Sequence, residues 1–228
     1  METRTTYSSK DPILELSEQG KLKLERPITI MGVDCGYGAP GLAVVSSEPA
    51  LINGHTFNTN PRKLVHVFSE CIKTERNQDR QSVATDDCRR ISDIGRWLRE
   101  HYSRWKPNVV VMEVPFSGAR GAMAIKGMAF ATAISVSVAD SFFTECLVLQ
   151  LCSPYDTKKW CTGNTKAEKD DVISAVSTVF NNVPWPKLKT KDKLDSDRCE
   201  AIADSLAAVL TFLRVPMKHC HKQKSKVL

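Results

Sequence analysis

Two aliphatic runs in this chain each stop abruptly on a carboxylate, and no other feature limits its architecture as much. Val109 to Met112 is unbroken and ends at Glu113, and Thr29 to Val33 is nearly so and ends at Asp34. A strand that is apolar on both sides of its pleat must be covered on both faces, so a sheet with helices over it is expected. A charge at the tip of such a strand is costly to hold unless something compensates it.

The rest of the chain fits around these runs. Gly36, Gly38, Pro40 and Gly41 separate Thr29–Val33 from Leu42–Val45, which predicts a hairpin, and a third strand is predicted near Leu64 to Phe68. From Asp86 to Trp105, Ile91, Ile94, Leu98 and Tyr102 recur at helical spacing, and Pro107 stops the helix. Ala119 to Phe143 predicts a helix rich in small and apolar residues, and Cys146 to Leu151 another buried strand. Helices are predicted from near Pro154, over Ala167 to Phe180, and over Asp197 to Leu213, with a Pro- and Lys-rich loop from Pro184 to Lys193 before the last. The fold class is α/β, a mixed central sheet flanked by helices. It is expected over residues 28–215, after an extension at 1–27 that lies on the domain or is disordered and before a basic tail at 216–228.

Composition narrows the function classes. At 42% hydrophobic and 25% charged, 228 residues suit one globular domain. The longest greasy stretch, Gly127 to Val138, carries Ser and Thr and meets Asp140, so no membrane span is expected. Met1 to Lys10 lacks the apolar core of a signal peptide, and eight cysteines contain no CxxC pair, so reduced thiols in an intracellular, reducing compartment are expected. The net charge is +6, but Arg214, Lys218, Lys222, Lys224 and Lys226 stand in the last 15 residues without an acid. The body is therefore almost neutral, and the tail is either an arm for a polyanion or a solvated end.

Asp197, Glu200 and Asp204 fall at i, i+3 and i+7 on the last helix, on a side that also carries Ala201, Ala207 and Ala208. With Asp34 and Glu113 they form an all-oxygen donor set, which suits Mg²⁺ or Mn²⁺ better than zinc. Carboxylates around a pair of such ions are arranged for displacement at phosphorus.

The run IMGVDCGYGAPGLAVV from Ile30 to Val45 resembles the opening hairpin of the RuvC-type Holliday junction resolvases, a branch of the ribonuclease H-like nucleases. The resemblance continues through VVVMEVPF, SPYDTKKW and NTKAEKDD to RCEAIADSLAAVL, in the family's order over about 180 residues. Cys35 stands where bacterial members usually have proline, and residues 46–64 are longer than a minimal connection. Glu200 and Asp204 are four apart rather than three, which resembles the viral and organellar branches and leaves Asp197 with Glu200 as the rival assignment.

The resemblance implies a homodimeric endonuclease that nicks two opposed strands of a four-way DNA junction symmetrically. Two ions per site are implied, with Asp34 shared between them and Glu113, Glu200 and Asp204 completing the set. Lys158 and Lys169 would neutralise phosphate on either side of the cut. Phe116 would stack on or wedge against a base at the junction centre, with Arg120, Lys126 and Lys159 holding the strands. The helix from Ala119 onward is the expected dimer face. No nucleotide cofactor is expected: a sugar kinase or actin-like ATPase opens similarly but needs two such domains. A transposase-like or RNA-cleaving nuclease of the same superfamily is the alternative, together with an inactive junction-binding relative, which would be expected to have lost some of the acids.

Overall fold

The computed structural model describes residues 28–47, 64–76, 82–114, 121–142, 148–187 and 194–214, together with four short strand segments at 14–16, 22–24, 51–53 and 56–57. In chain order the elements are β1 (Leu14–Leu16), β2 (Leu22–Leu24), β3 (Ile28–Asp34), β4 (Gly41–Ser47), β5 (Leu51–Asn53), β6 (Thr56–Phe57), β7 (Leu64–Cys71), α1 (Val83–Trp105), β8 (Val109–Glu113), α2 (Ala122–Ser141), β9 (Val148–Cys152), α3 (Pro154–Thr162), α4 (Lys169–Val179) and α5 (Ser196–Arg214).

The central sheet runs β7-β4-β3-β8-β9. β3, β4 and β7 are antiparallel neighbours, whereas β8 pairs parallel with β3 and β9 parallel with β8. Alternation along the strands divides the core between the two faces. Ile28, Ile30, Val109 and Val111 pack with Ile202, Leu206 and Val209 of α5 and with Val172 and Val176 of α4. Met31, Val33, Val110 and Met112 pack with Ile94, Leu98 and Tyr102 of α1 and with Val138 of α2. Asp34 and Glu113 continue the first of these registers, so they belong to the α5 face.

The helix ends explain where the boundaries moved. α1 starts three residues before its expected position because Ser82 accepts a hydrogen bond from the Thr85 amide at 3.1 Å. It closes on Lys106 in the left-handed conformation (φ 42°), directly before Pro107. Ser153 and Asp156 form a reciprocal capping box on α3, with Pro154 in the first turn.

Two features differ from the sequence reading. Short strands β1 and β2 lie within the expected extension, and with β5 and β6 they make a second antiparallel sheet ordered β1-β2-β5-β6. The long β4 to β7 connection thus contains paired strands. Secondly, α2 is long and apolar enough, by length and composition, to cross a membrane, with mean hydropathy 1.6 and 28% of the span buried within the protein. Lys126 and Asp140 keep the helix from containing about 18 uncharged apolar residues in a row, but they leave its average high.

Candidate active site

Backbone register alone brings the first two acids together. β3 and β8 are adjacent and parallel, with Ile30 opposite Val109 and, four steps on, Asp34 opposite Glu113. Both carboxylates leave the same end of the sheet toward α5.

That helix lies unusually close to the strands. A Cβ on Gly32 would stand 1.9 Å from the Ser205 carbonyl oxygen, and one on Gly41 would stand 2.2 Å from that of Ala201. Only glycine leaves room for a helix backbone at this distance. The Ser205 hydroxyl completes the junction by accepting the Asp34 amide at 3.2 Å and donating to the Ala201 carbonyl at 2.8 Å. Glu200 and Asp204 directly precede Ala201 and Ser205, the two contact residues, and are thereby carried toward the tips of β3 and β8.

The electrostatics show that the four acids share one environment. Burial, and then the charges of Asp204, Glu113 and Glu200, push the Asp34 carboxyl well above the usual carboxylate range. Asp204 is raised in the same way, first by burial and then by Glu113 and Glu200. Burial raises Glu113 to about 7, against a hydrogen bond from Thr157 and the charge of Lys158 that lower it. The Thr157 hydroxyl donates to Glu113 Oε2 at 2.6 Å.

Two lysines reach this group from different elements. Lys158 of α3 is felt by Glu113 and Asp204, and Lys169, the first residue of α4, forms an ion pair with Glu200. Lys159 is exposed on α3. Asp197 lies at the margin of the group: its side chain is 67% exposed and 3.6 Å from Lys73, which also pairs with Asp195 at 3.3 Å, and its charge is felt by Lys169. Lys126 is likewise away from the acids, in an ion pair with Asp87 of α1. Phe116 and Arg120 lie outside the described residues.

The donors would suit a hard divalent cation. All are oxygens, and the mutual repulsion of one buried and three half-buried acids is what a cation would relieve. As placed, Glu113 is engaged by Thr157 and Glu200 by Lys169, and among the described residues no three His, Cys, Asp or Glu side chains are gathered tightly enough to hold an ion. The fit therefore rests on donor chemistry and shared electrostatics. Gly32, Gly41, Ser205 and Thr157 were not singled out as site residues by sequence. A glycine in the middle of an apolar strand is the one available signal, and it marks a close approach without saying what approaches.

A mixed five-stranded sheet carrying acids on two adjacent parallel strands, with an acid-bearing helix laid across them, defines a ribonuclease H-like nuclease fold. The family described as crossover junction endodeoxyribonuclease RuvC matches residues 30–211, and the chain belongs to that family. Among solved structures, RuvC from T. thermophilus in complex with a Holliday junction substrate is similar with a TM-score of 0.59 and 19% identity, over 83% of this chain and 99% of that one. Another Thermus thermophilus RuvC structure gives a TM-score of 0.56 at 19% identity, over 81% and 92% of the two chains. The yeast mitochondrial Holliday junction resolvase Ydc2 gives 0.52 at 14% identity, over 86% and 84%. No curated protein sequence matches the chain.

Proposed function

We propose that the chain resolves four-way DNA junctions by nicking two opposed strands symmetrically as a homodimer, with divalent cations, Mg²⁺ or Mn²⁺, held by Asp34, Glu113, Glu200 and Asp204. The observation that carries this reading is the register of Asp34 against Glu113, with α5 close enough to bring two further acids to the same point. All four acids are present, which favours an active nuclease over a binding-only relative.

Such cations, when bound, supply positive charge to an attacking water and to the departing oxygen. The chain's own groups do the rest. Ser205 fixes the Asp34 backbone, and Thr157 turns Glu113 by holding one of its oxygens. Lys158 and Lys169 stand beside the acids, where a phosphate of the cut strand would meet them, and in that role they offset its charge without reading bases. Phe116 and Arg120 are proposed to contact the junction centre, and Lys159, exposed on α3, to contact the backbone. The exposed Met123 and Ile125 of α2 support subunit pairing through that helix.

A thermal-shift titration tests the cation site without relying on cleavage. Mg²⁺ should raise the melting temperature of the parental protein, by the equivalent of about 2.7 kcal/mol at a hundredfold excess over Kd. Asp34→Asn should remove most of that rise, lose cleavage and keep junction binding. An equal rise in both proteins would overturn the assignment of Asp34.

A further inference from the structure

The turn that follows Asp34 is gripped from outside the acid group. Tyr37, three residues on, sets its ring against Gly127 of α2, where an added Cβ would stand 2.6 Å from the ring. On α1, the Arg90 guanidinium lies over that ring, 3.8 Å from its centroid. The Tyr37 hydroxyl donates to Asp87 Oδ1 at 2.6 Å, and the other Asp87 oxygen is ion-paired with Lys126 of α2. Asp87 is buried, which strengthens its hydrogen bond with Tyr37, while the Lys126 side chain keeps part of its surface in water.

The backbone of the turn is tied as well. The Tyr37 carbonyl accepts from the Thr74 hydroxyl and from Arg90, and the Gly38 carbonyl accepts the Thr74 amide at 2.9 Å. The same turn closes on the acid, because a Cβ on Gly36 would stand 3.3 Å from Asp34 Oδ2. The turn that carries Tyr37 thus runs directly beside the carboxylate.

We infer that Asp87 is a positioning residue: through Tyr37 and Lys126 it locks the Asp34 turn to α1 and α2, so the setting of the first acid depends on where α2 lies. This rests on the proposed role of Asp34. It directs Lys126 inward, as a link in the lock, and gives the helix proposed for subunit pairing a physical connection to the site. Displacing a reacting group by about 1 Å can cost on the order of 10²-fold in rate.

The test uses the full chain with Tyr37→Phe, Asp87→Asn, Lys126→Met and Lys126→Arg. Single-turnover cleavage at saturating protein should fall about tenfold or more in the first three, with junction Kd unchanged within about twofold, and Lys126→Arg should recover most of the rate. The Tyr37→Phe/Asp87→Leu double variant should be no slower than Asp87→Leu alone, because Asp87→Leu already removes the acceptor of the Tyr37 hydroxyl. Hydrogen exchange supplies a readout independent of cleavage: Lys126→Met should speed exchange in the peptide spanning 35–41, which it does not belong to. If the parental protein cuts no junction, the functional reading falls while exchange still decides the lock. Lys126→Met with weaker binding, a salt slope lower by about one and the parental rate would make Lys126 a DNA contact and overturn the lock. Parental rates throughout, with exchange altered only in α2, would overturn it too.

Discussion

Burial is the largest cause of the raised pKa at Asp34, Glu113 and Asp204, which makes each an acid held charged only at a cost. Glu200 and Asp204 are neighbours one turn apart on α5, whereas Asp197 is mostly exposed, pairs with Lys73 and reaches the site only through its charge on Lys169. Glu200→Gln and Asp204→Asn should therefore abolish Mg²⁺-dependent nicking, and Asp197→Asn should keep it. A dead Asp197→Asn with an active Asp204→Asn, in the same cleavage assay, would move the acid pair to Asp197 and Glu200, about one turn along α5. Lys158→Ala and Lys169→Ala should cut about 10²-fold more slowly at saturating protein, as expected for loss of a preorganised group facing developing charge. A loss of affinity alone, at parental rate, would reduce them to anchors. Asp34 and Glu113 stood out in the sequence because a charge ending an aliphatic run has no ordinary explanation. Spacing on one helix could not separate Asp197 from its neighbours, since the deciding partner, Lys73, comes from the segment after β7. Thr157 and Ser205 were silent for a related reason: a lone hydroxyl has no pattern, and its meaning lies in an acid 44 residues away for Thr157 and 171 for Ser205.

At the level of elements, the site depends on how closely α5 can approach β3 and β4. Gly32→Ala would place a methyl group inside the Ser205 carbonyl contact, and the helix would have to retreat. Overpacking of this kind costs about 1–3 kcal/mol, equivalent to a fall of roughly 2–12 °C in melting temperature for a chain of this size. Calorimetry should show such a fall, and nicking should be lost well below the new transition because Glu200 and Asp204 move with α5. An unchanged melting temperature would mean that α5 can shift freely and that its proximity is not what sets the acids. The long elements were legible because each carried its period: α1 through Ile91, Ile94, Leu98 and Tyr102, and β8 through its aliphatic run. The short strands β1, β2, β5 and β6 were not, because two or three residues show no period, and the β2–β5 pairing that joins the two local pairs spans more than 25 residues. Sheet order was likewise beyond periodicity, since hydrophobic alternation fixes faces but not neighbours.

For the whole molecule, paired nicking requires two sites in one assembly. Light scattering should give a dimer of about 51 kDa, twice the 25.4 kDa chain, and a monomer at micromolar concentration would count against symmetric cleavage. Truncation after Val215 removes four lysines and no acid, so it should weaken junction binding and flatten its salt dependence while leaving the saturated rate nearly unchanged. Asp34, Glu113, Glu200 and Asp204 are proposed to hold the cations that assist hydrolysis of four-way junction DNA. The most direct measurement is to incubate the purified parental protein and Asp34→Asn with Mg²⁺ and end-labelled four-way junction, linear duplex or RNA–DNA hybrid, and to map the cuts on every strand. Paired nicks at symmetric positions on opposed strands of the junction are expected, with little cutting of the other two substrates and none by Asp34→Asn; preferential cutting of duplex or hybrid, or undiminished nicking by the variant, would contradict the proposed function.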